Sequence, residues 1–123
     1  MKILVVDDDE TLTELLSMKL AESGYLVEQV SDGWEALKRL TVNHYDLLIT
    51  DLMMPEISGL TLLSLLKNYV YGKLPVIIIS SLDQSTTILS GMGLGAEDYF
   101  VKPLNFERLI ARIRNLMPGA ATS

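Results

Sequence analysis

The stretch Asp46-Leu-Leu-Ile-Thr-Asp51-Leu-Met-Met-Pro55 decides how this chain folds. Its apolar run, with β-branched Ile49 and Thr50, lacks polar alternation, as a strand buried on both faces does. The run closes on a carboxylate, Asp51, and Pro55 stops it. In open parallel sheets ligands bind beyond the carboxyl ends of the strands, so such a strand presents Asp51 where a site forms. One strand-ending Asp could equally serve as a turn residue. Two further runs end in the same manner, however: Ile3-Leu-Val-Val-Asp7-Asp8-Asp9 and Pro75-Val-Ile-Ile-Ile-Ser80-Ser81. Three polar endings on one edge read as a site.

Between these strands the apolar spacing becomes helical. It predicts a helix over 10–23, capped by Asp9 and stopped at Gly24, and a shorter one over 34–40 after an Asp32-Gly33 turn. A third is expected over 60–69, with Leu60, Leu63, Leu66 and Val70 on one face and Gly72 as its break. The last runs over 105–117, with Leu109, Ile110, Ile113 and Leu116 inward and Pro118-Gly119 as its end. Residues 84–94 predict a short or irregular helix, because Gly91 and Gly93 each cost about 1 kcal/mol against Ala. Strands are expected over 2–7, 25–30, 46–51, 75–80 and 99–101. Five strands alternating with five helices imply an α/β fold, a doubly wound parallel sheet covered on both faces. Residues 1–117 read as one domain and 118–123 as a flexible tail or the start of a linker. Trp34, at a helix start, reads as a packing residue, and His44, in a loop, has no catalytic role.

The 123 residues suffice for one core, not two. A net charge of −6 argues against direct contact with nucleic acid. No apolar run nears the roughly 20 residues of a membrane span, and the apolar stretch after Lys2 is too short for a secretory signal. Without cysteine there is no disulfide framework and no thiolate metal site, and a cytoplasmic location is expected.

Asp7, Asp8, Asp51, Ser80 and Lys102 then form one constellation. A row of acids such as Asp7 to Glu10 is usually a solvated helix start. Directly after a buried strand, part of it is pinned, and mutual repulsion favours a bound cation. Carboxylates without His or Cys make an all-oxygen site, which suits Mg²⁺. Such a cation beside a lysine and a hydroxyl is equipment for phosphoryl transfer, with an Asp able to act as acceptor. Taken singly, Lys102 would read as a solvated lysine, Ser80 as a strand-end hydroxyl serving the backbone and Tyr99 as a half-buried strand residue.

In these residues the chain resembles the receiver domain of two-component response regulators. The likeness rests on Asp7-Asp8 after Val5-Val6, Asp51 followed by Met53-Met54-Pro55 and Gly59, and Ser80 after Ile77-Ile78-Ile79. Lys102-Pro103 and Gly95-Ala96-Glu97-Asp98-Tyr99 complete it, over residues 2–117. The resemblance implies a flavodoxin-like sheet of order 2-1-3-4-5 and a signalling module, not an enzyme. Asp51 would take a phosphoryl group from a histidine kinase or phosphotransfer protein, and the domain would assist its own phosphorylation and dephosphorylation. Mg²⁺ would be held by Asp8, Asp51 and the main-chain carbonyl of Met53, and by Asp7 mainly through water. Lys102 would pair with the phosphoryl group, Ser80 would swing to bond it, and Tyr99 would turn inward as the hydroxyl moves. The Lys102–Pro103 bond would be cis.

By the same resemblance the switched face is helix four, strand five and helix five, where regulators of the OmpR/PhoB type dimerise through charge pairs. Only Asp98 with Arg112 matches such a pair; Ile88 with Arg108 and Leu94 with Gly119 replace the others. A phosphorylation-dependent homodimer is therefore expected to be weak or differently arranged. An enzyme reading also fits the first motif: in haloacid-dehalogenase-like phosphatases the first Asp, here Asp7, is the nucleophile and the Asp two residues on is the acid. Against it, that family needs an acidic pair downstream of the lysine, and only Glu107 follows Lys102.

Overall fold

The computed structural model describes residues 1–53, 57–66 and 74–117. Its elements, in order, are β1 (Lys2–Val6), α1 (Glu10–Glu22), β2 (Leu26–Val30), α2 (Gly33–Val42), β3 (Leu47–Asp51), α3 (Gly59–Leu65), β4 (Val76–Ser80), α4 (Ser85–Gly93), β5 (Asp98–Val101) and α5 (Phe106–Leu116). The strands pair in parallel in the order β2-β1-β3-β4-β5, as expected. β3 and β4 are buried at every position, which is why they read as continuous apolar runs.

Successive strand residues point to opposite faces, so the sheet feeds two cores. Leu4, Val6, Leu48 and Ile78 pack with Ala36 and Leu40 of α2 and Leu62 of α3. Ile3, Val5, Ile49 and Ile77 pack on the other face with Leu16 and Leu20 of α1 and Leu109 and Ile113 of α5. The Asp9 carboxylate caps α1 by accepting the Leu12 N–H at 3.1 Å, and Gly24 turns the chain after it with a φ of 97°.

Two expectations change. Trp34 is 52% exposed, because α2 lays Gly33, Ala36 and Leu40 against the core and Trp34 falls off that face. In α3, Leu62 is fully buried while Leu60 is only partly so. The expected α3 positions Val70 and Gly72, together with Pro55 and Pro118-Gly119, lie outside the described residues. Helix α4 is short, as expected. Its N-cap, Gln84, makes no side-chain cap bond, and of its residues only Gly91 is buried.

On the edge strand β2, Glu28 meets Lys2 Nζ at 2.9 Å and Arg39 Nη1 at 2.9 Å, and the Tyr45 hydroxyl donates to it. Hydrogen bonds from Lys2 and Tyr45 hold the Glu28 carboxyl down to about 2.

Candidate metal and phosphoryl site

The parallel register levels the strand ends. Val6 stands beside Thr50, Asp51 beside Ile79, and Ser80 beside Val101. Asp7, Asp51, Ser80 and Lys102 therefore line one edge, each at or just past the end of a different strand. Asp7, Asp51 and Ser80 are buried, whereas Asp8 lies open at the mouth. The carboxylates of Asp7, Asp8 and Asp51 each offer an oxygen, and these lie within 4.8 Å of one another.

Lys102 Nζ sits 2.8 Å from Asp7 Oδ2 and 3.3 Å from Asp51 Oδ2, bridging two carboxylates that would otherwise repel. Asp7 Oδ1 accepts the Asp9 N–H at 3.0 Å, and Asp51 Oδ1 accepts the Leu52 N–H at 2.7 Å and the Met53 N–H at 3.3 Å. Burial, reinforced by the Asp7 carboxylate, pushes the Asp51 carboxyl above its ordinary value despite Lys102. Burial works against the Lys102 ammonium, but Asp7 and Asp51 outweigh it and raise Lys102. The lysine stays charged, and ionised Asp51 remains costly. Three carboxylates thus face one ammonium, a shortage of positive charge that a hard divalent cation such as Mg²⁺ suits.

Helix α3 approaches this edge very closely. The Gly59 N–H donates to Leu52 O at 3.0 Å, and a Cβ at Gly59 would stand 2.2 Å from Asp51 O. Ser58 caps the helix by accepting the Thr61 N–H. The motif glycine is therefore a matter of space at the end of β3.

Ser80 Oγ does not point at Asp51 through any hydrogen bond seen here; it accepts the Leu82 N–H at 3.1 Å. The Leu82 carbonyl in turn accepts the Tyr99 hydroxyl at 2.7 Å. The main chain of Leu82 thus joins the two expected switch residues, a link that sequence spacing did not reveal. Tyr99 packs at the edge of the core, where Gly91 lets α4 sit against Ile78 and Tyr99. The Lys102–Pro103 bond is cis. The Met53 side chain is 59% exposed. His44 is outside the site, bonded to Asp46 at 3.2 Å.

The arrangement does not supply the acid that the phosphatase reading needs. Asp9, the acid of the phosphatase reading, is spent as the α1 cap.

Comparison with known proteins agrees. The profile of the response regulator receiver domain matches residues 3–114. The chain is 37% identical over 117 residues to the probable transcriptional regulatory protein SilR of Salmonella typhimurium, covering 95% of this chain and 51% of that protein. It spans about half the length of the curated relatives it matches. Among solved structures it matches the receiver domain of a Francisella response regulator with a TM-score of 0.89 and 36% identity, over 94% of each chain. The Thermotoga maritima response regulator TrrA in complex with Mg²⁺-BeF matches with a TM-score of 0.85 and 34% identity, over 94% of this chain and 98% of that one. The haloacid-dehalogenase-like reading finds no support.

Proposed function

The chain belongs to the receiver domain family of two-component response regulators, and from that premise we propose that Asp51 is its phosphoacceptor. The observation that carries this is a buried strand-end carboxylate, raised by burial, within reach of Lys102 and two further aspartates. A carboxylate oxygen of Asp51 attacks the phosphorus of a histidine kinase or phosphotransfer protein, the bond to the donor breaks, and an acyl phosphate results. Asp8, Asp51 and the main-chain carbonyl of Met53 would hold Mg²⁺, with Asp7 reaching it mainly through water. The ion supplies charge neutralisation at the phosphoryl oxygens. Lys102, now shared between Asp7 and Asp51, would turn to the phosphoryl group.

Ser80 would exchange the Leu82 N–H for a phosphoryl oxygen, which its hydroxyl can donate to. That frees the segment whose carbonyl holds Tyr99, and the change passes to α4, β5 and α5. Helix α4 suits this role, because it is weakly capped and buries little. A groove lined by Leu12, Leu15, Pro103, Leu104 and Phe106 opens beside Lys102. Arg112 spends its charge within the chain, on Asp98 Oδ2 at 3.0 Å and Glu97 O at 3.1 Å. This supports a homodimer that is weak or differently arranged. We take residues 1–117 as the receiver; the tail or linker expected over 118–123 lies outside the described residues. It is read as a cytoplasmic signalling module without direct contact with nucleic acid or membrane. Among the described residues no helix is long and apolar enough to cross a membrane.

The test is to incubate the chain with Mg²⁺ and a small phosphodonor and to map the modified residue by mass spectrometry. Label at Asp51 is expected; label at Asp7 overturns the assignment.

Duration of the signal depends on water reaching the phosphorus in line. Met53 and Leu82, two residues beyond Asp51 and two beyond Ser80, have side chains without a group to orient that water, and both are bulky enough to shield the phosphoryl group. Met53→Asn with Leu82→Glu is expected to speed loss of phosphate about tenfold, below the usual range for a full general base. Following decay after donor removal checks this, and equal rates place the control of water elsewhere.

A further inference from the structure

We infer that Gly33, at the start of α2, is a positioning residue for the Asp51 edge, acting through Ile57. A Cβ at Gly33 would stand 2.9 Å from Ile57 Cβ, 3.1 Å from Ile57 Cγ2 and 3.2 Å from Ile57 O. Two of these three atoms cannot be moved by a change of rotamer. Gly33 is not among the glycines with positive φ, which among the described residues are Gly24 and Gly95, so its backbone is open to any residue. Space, not conformation, requires glycine here.

Neither partner can easily withdraw. The start of α2 is held by Asp32, whose carboxylate accepts the Glu35 N–H at 2.8 Å, and by Ala36 and Leu40, which are fully buried. Ile57 is itself 5% exposed, in the core beside Ala36 and Leu62. Two residues later Gly59 bonds Leu52 O and abuts Asp51 O. A displacement of Ile57 is therefore passed through Ser58 and Gly59 to the main chain of Leu52 and Asp51. Leu52 N–H is in turn the donor that fixes Asp51 Oδ1. The close packing of Gly33 on Ile57 thus sets the carboxylate that the proposed ion would share.

This inference rests on the metal reading above, and the experiment separates the two. Mg²⁺ is titrated into the 123-residue chain and its variants, followed by the amide NMR signals of Asp8 and Leu52. Gly33→Ala, which crowds the contact, and Ile57→Ala, which empties it, should each weaken Mg²⁺ about tenfold, the lower end of the range for partners that orient a metal ligand. Leu40→Ala, a buried truncation on the same helix two turns from the contact, should destabilise the fold yet leave Mg²⁺ affinity within about twofold of the parent, well below that range. Unchanged affinity in Gly33→Ala and Ile57→Ala, or an equal loss in Leu40→Ala, overturns the positioning role. A parent chain that binds no Mg²⁺, or whose binding survives Asp8→Asn, overturns the metal reading and this inference with it.

Discussion

Asp51→Asn is expected to lose acyl-phosphate labelling completely and, in the same molecule, to gain thermal stability. The first effect is chemical, since a carboxamide offers no carboxylate oxygen to phosphorylate. The second is electrostatic. Asp51 is buried beside Asp7, and its carboxyl is raised above the ordinary value. For an acid with a raised folded value, the folded state holds the proton more tightly. Stability then falls as pH rises from the unfolded value through the folded one, and the penalty is complete above both. Asn keeps an oxygen for the Leu52 N–H without carrying charge, so the variant should be more stable at neutral pH by on the order of 1 kcal/mol, or about 4 °C in Tm for a domain of this size. Below the unfolded value the difference should close. Asp8→Ala should also lose labelling, because it removes a proposed Mg²⁺ ligand while leaving the proposed acceptor. Mass spectrometry reads the label, and thermal unfolding between pH 3 and 8 (about one unit below the free carboxyl value to well above it) reads the stability. Equal Tm values throughout would show that Lys102 compensates Asp51 in full.

Gly59→Ala should cost about 3 kcal/mol or more, at the top of the usual range for overpacking. The added Cβ would meet Asp51 O at 2.2 Å, Leu52 Cα at 2.9 Å and Asp51 C at 3.0 Å, all main-chain atoms that cannot rotate away. Helix α3 would have to leave the end of β3 and break the Gly59–Leu52 hydrogen bond. Gly93→Ala is the matched control. A Cβ there meets nothing within 4 Å, so helix propensity alone acts, and α4 should be stabilised by up to about 1 kcal/mol. Denaturant midpoints for the two variants should move in opposite directions. A mild effect at Gly59 would mean that the α3–β3 approach has slack.

The same chemical change with opposite signs at two glycines shows where sequence stops being legible. Spacing separates strand from helix, and it located Asp7, Asp51 and Ser80 because runs buried on both faces end abruptly in polar residues, whereas Lys102 follows β5, which is only partly buried. The Asp9 cap was legible for the same reason, being local. What periodicity does not carry is distance between elements. Nothing near Gly59 in sequence says that Asp51 O lies against it, and Lys102 meets Asp7 across a separation of 95 residues. The family motif quoted Gly59 and Lys102 without either contact. Trp34 was misread because a large apolar residue on a short helix suggests a core position. Helix α2 instead buries Gly33, Ala36 and Leu40, with Gly33 close against Ile57. The Ser80–Leu82–Tyr99 link uses a main chain that every residue has, so no side-chain pattern announces it.

β2 closes one side of the sheet, and its outer backbone is a ready template for a strand from another molecule. Leu26 on that strand, 67% exposed, would make the invitation stronger. Glu28 withdraws it. Its carboxylate turns toward Lys2, Arg39 and Tyr45, and a strand docking alongside would press its side chains on fixed charges that lose hydration with no new partner. An inward charge on an edge strand is a known guard against sheet-to-sheet growth. The ionic knot on Glu28 therefore bears on aggregation as well as on stability.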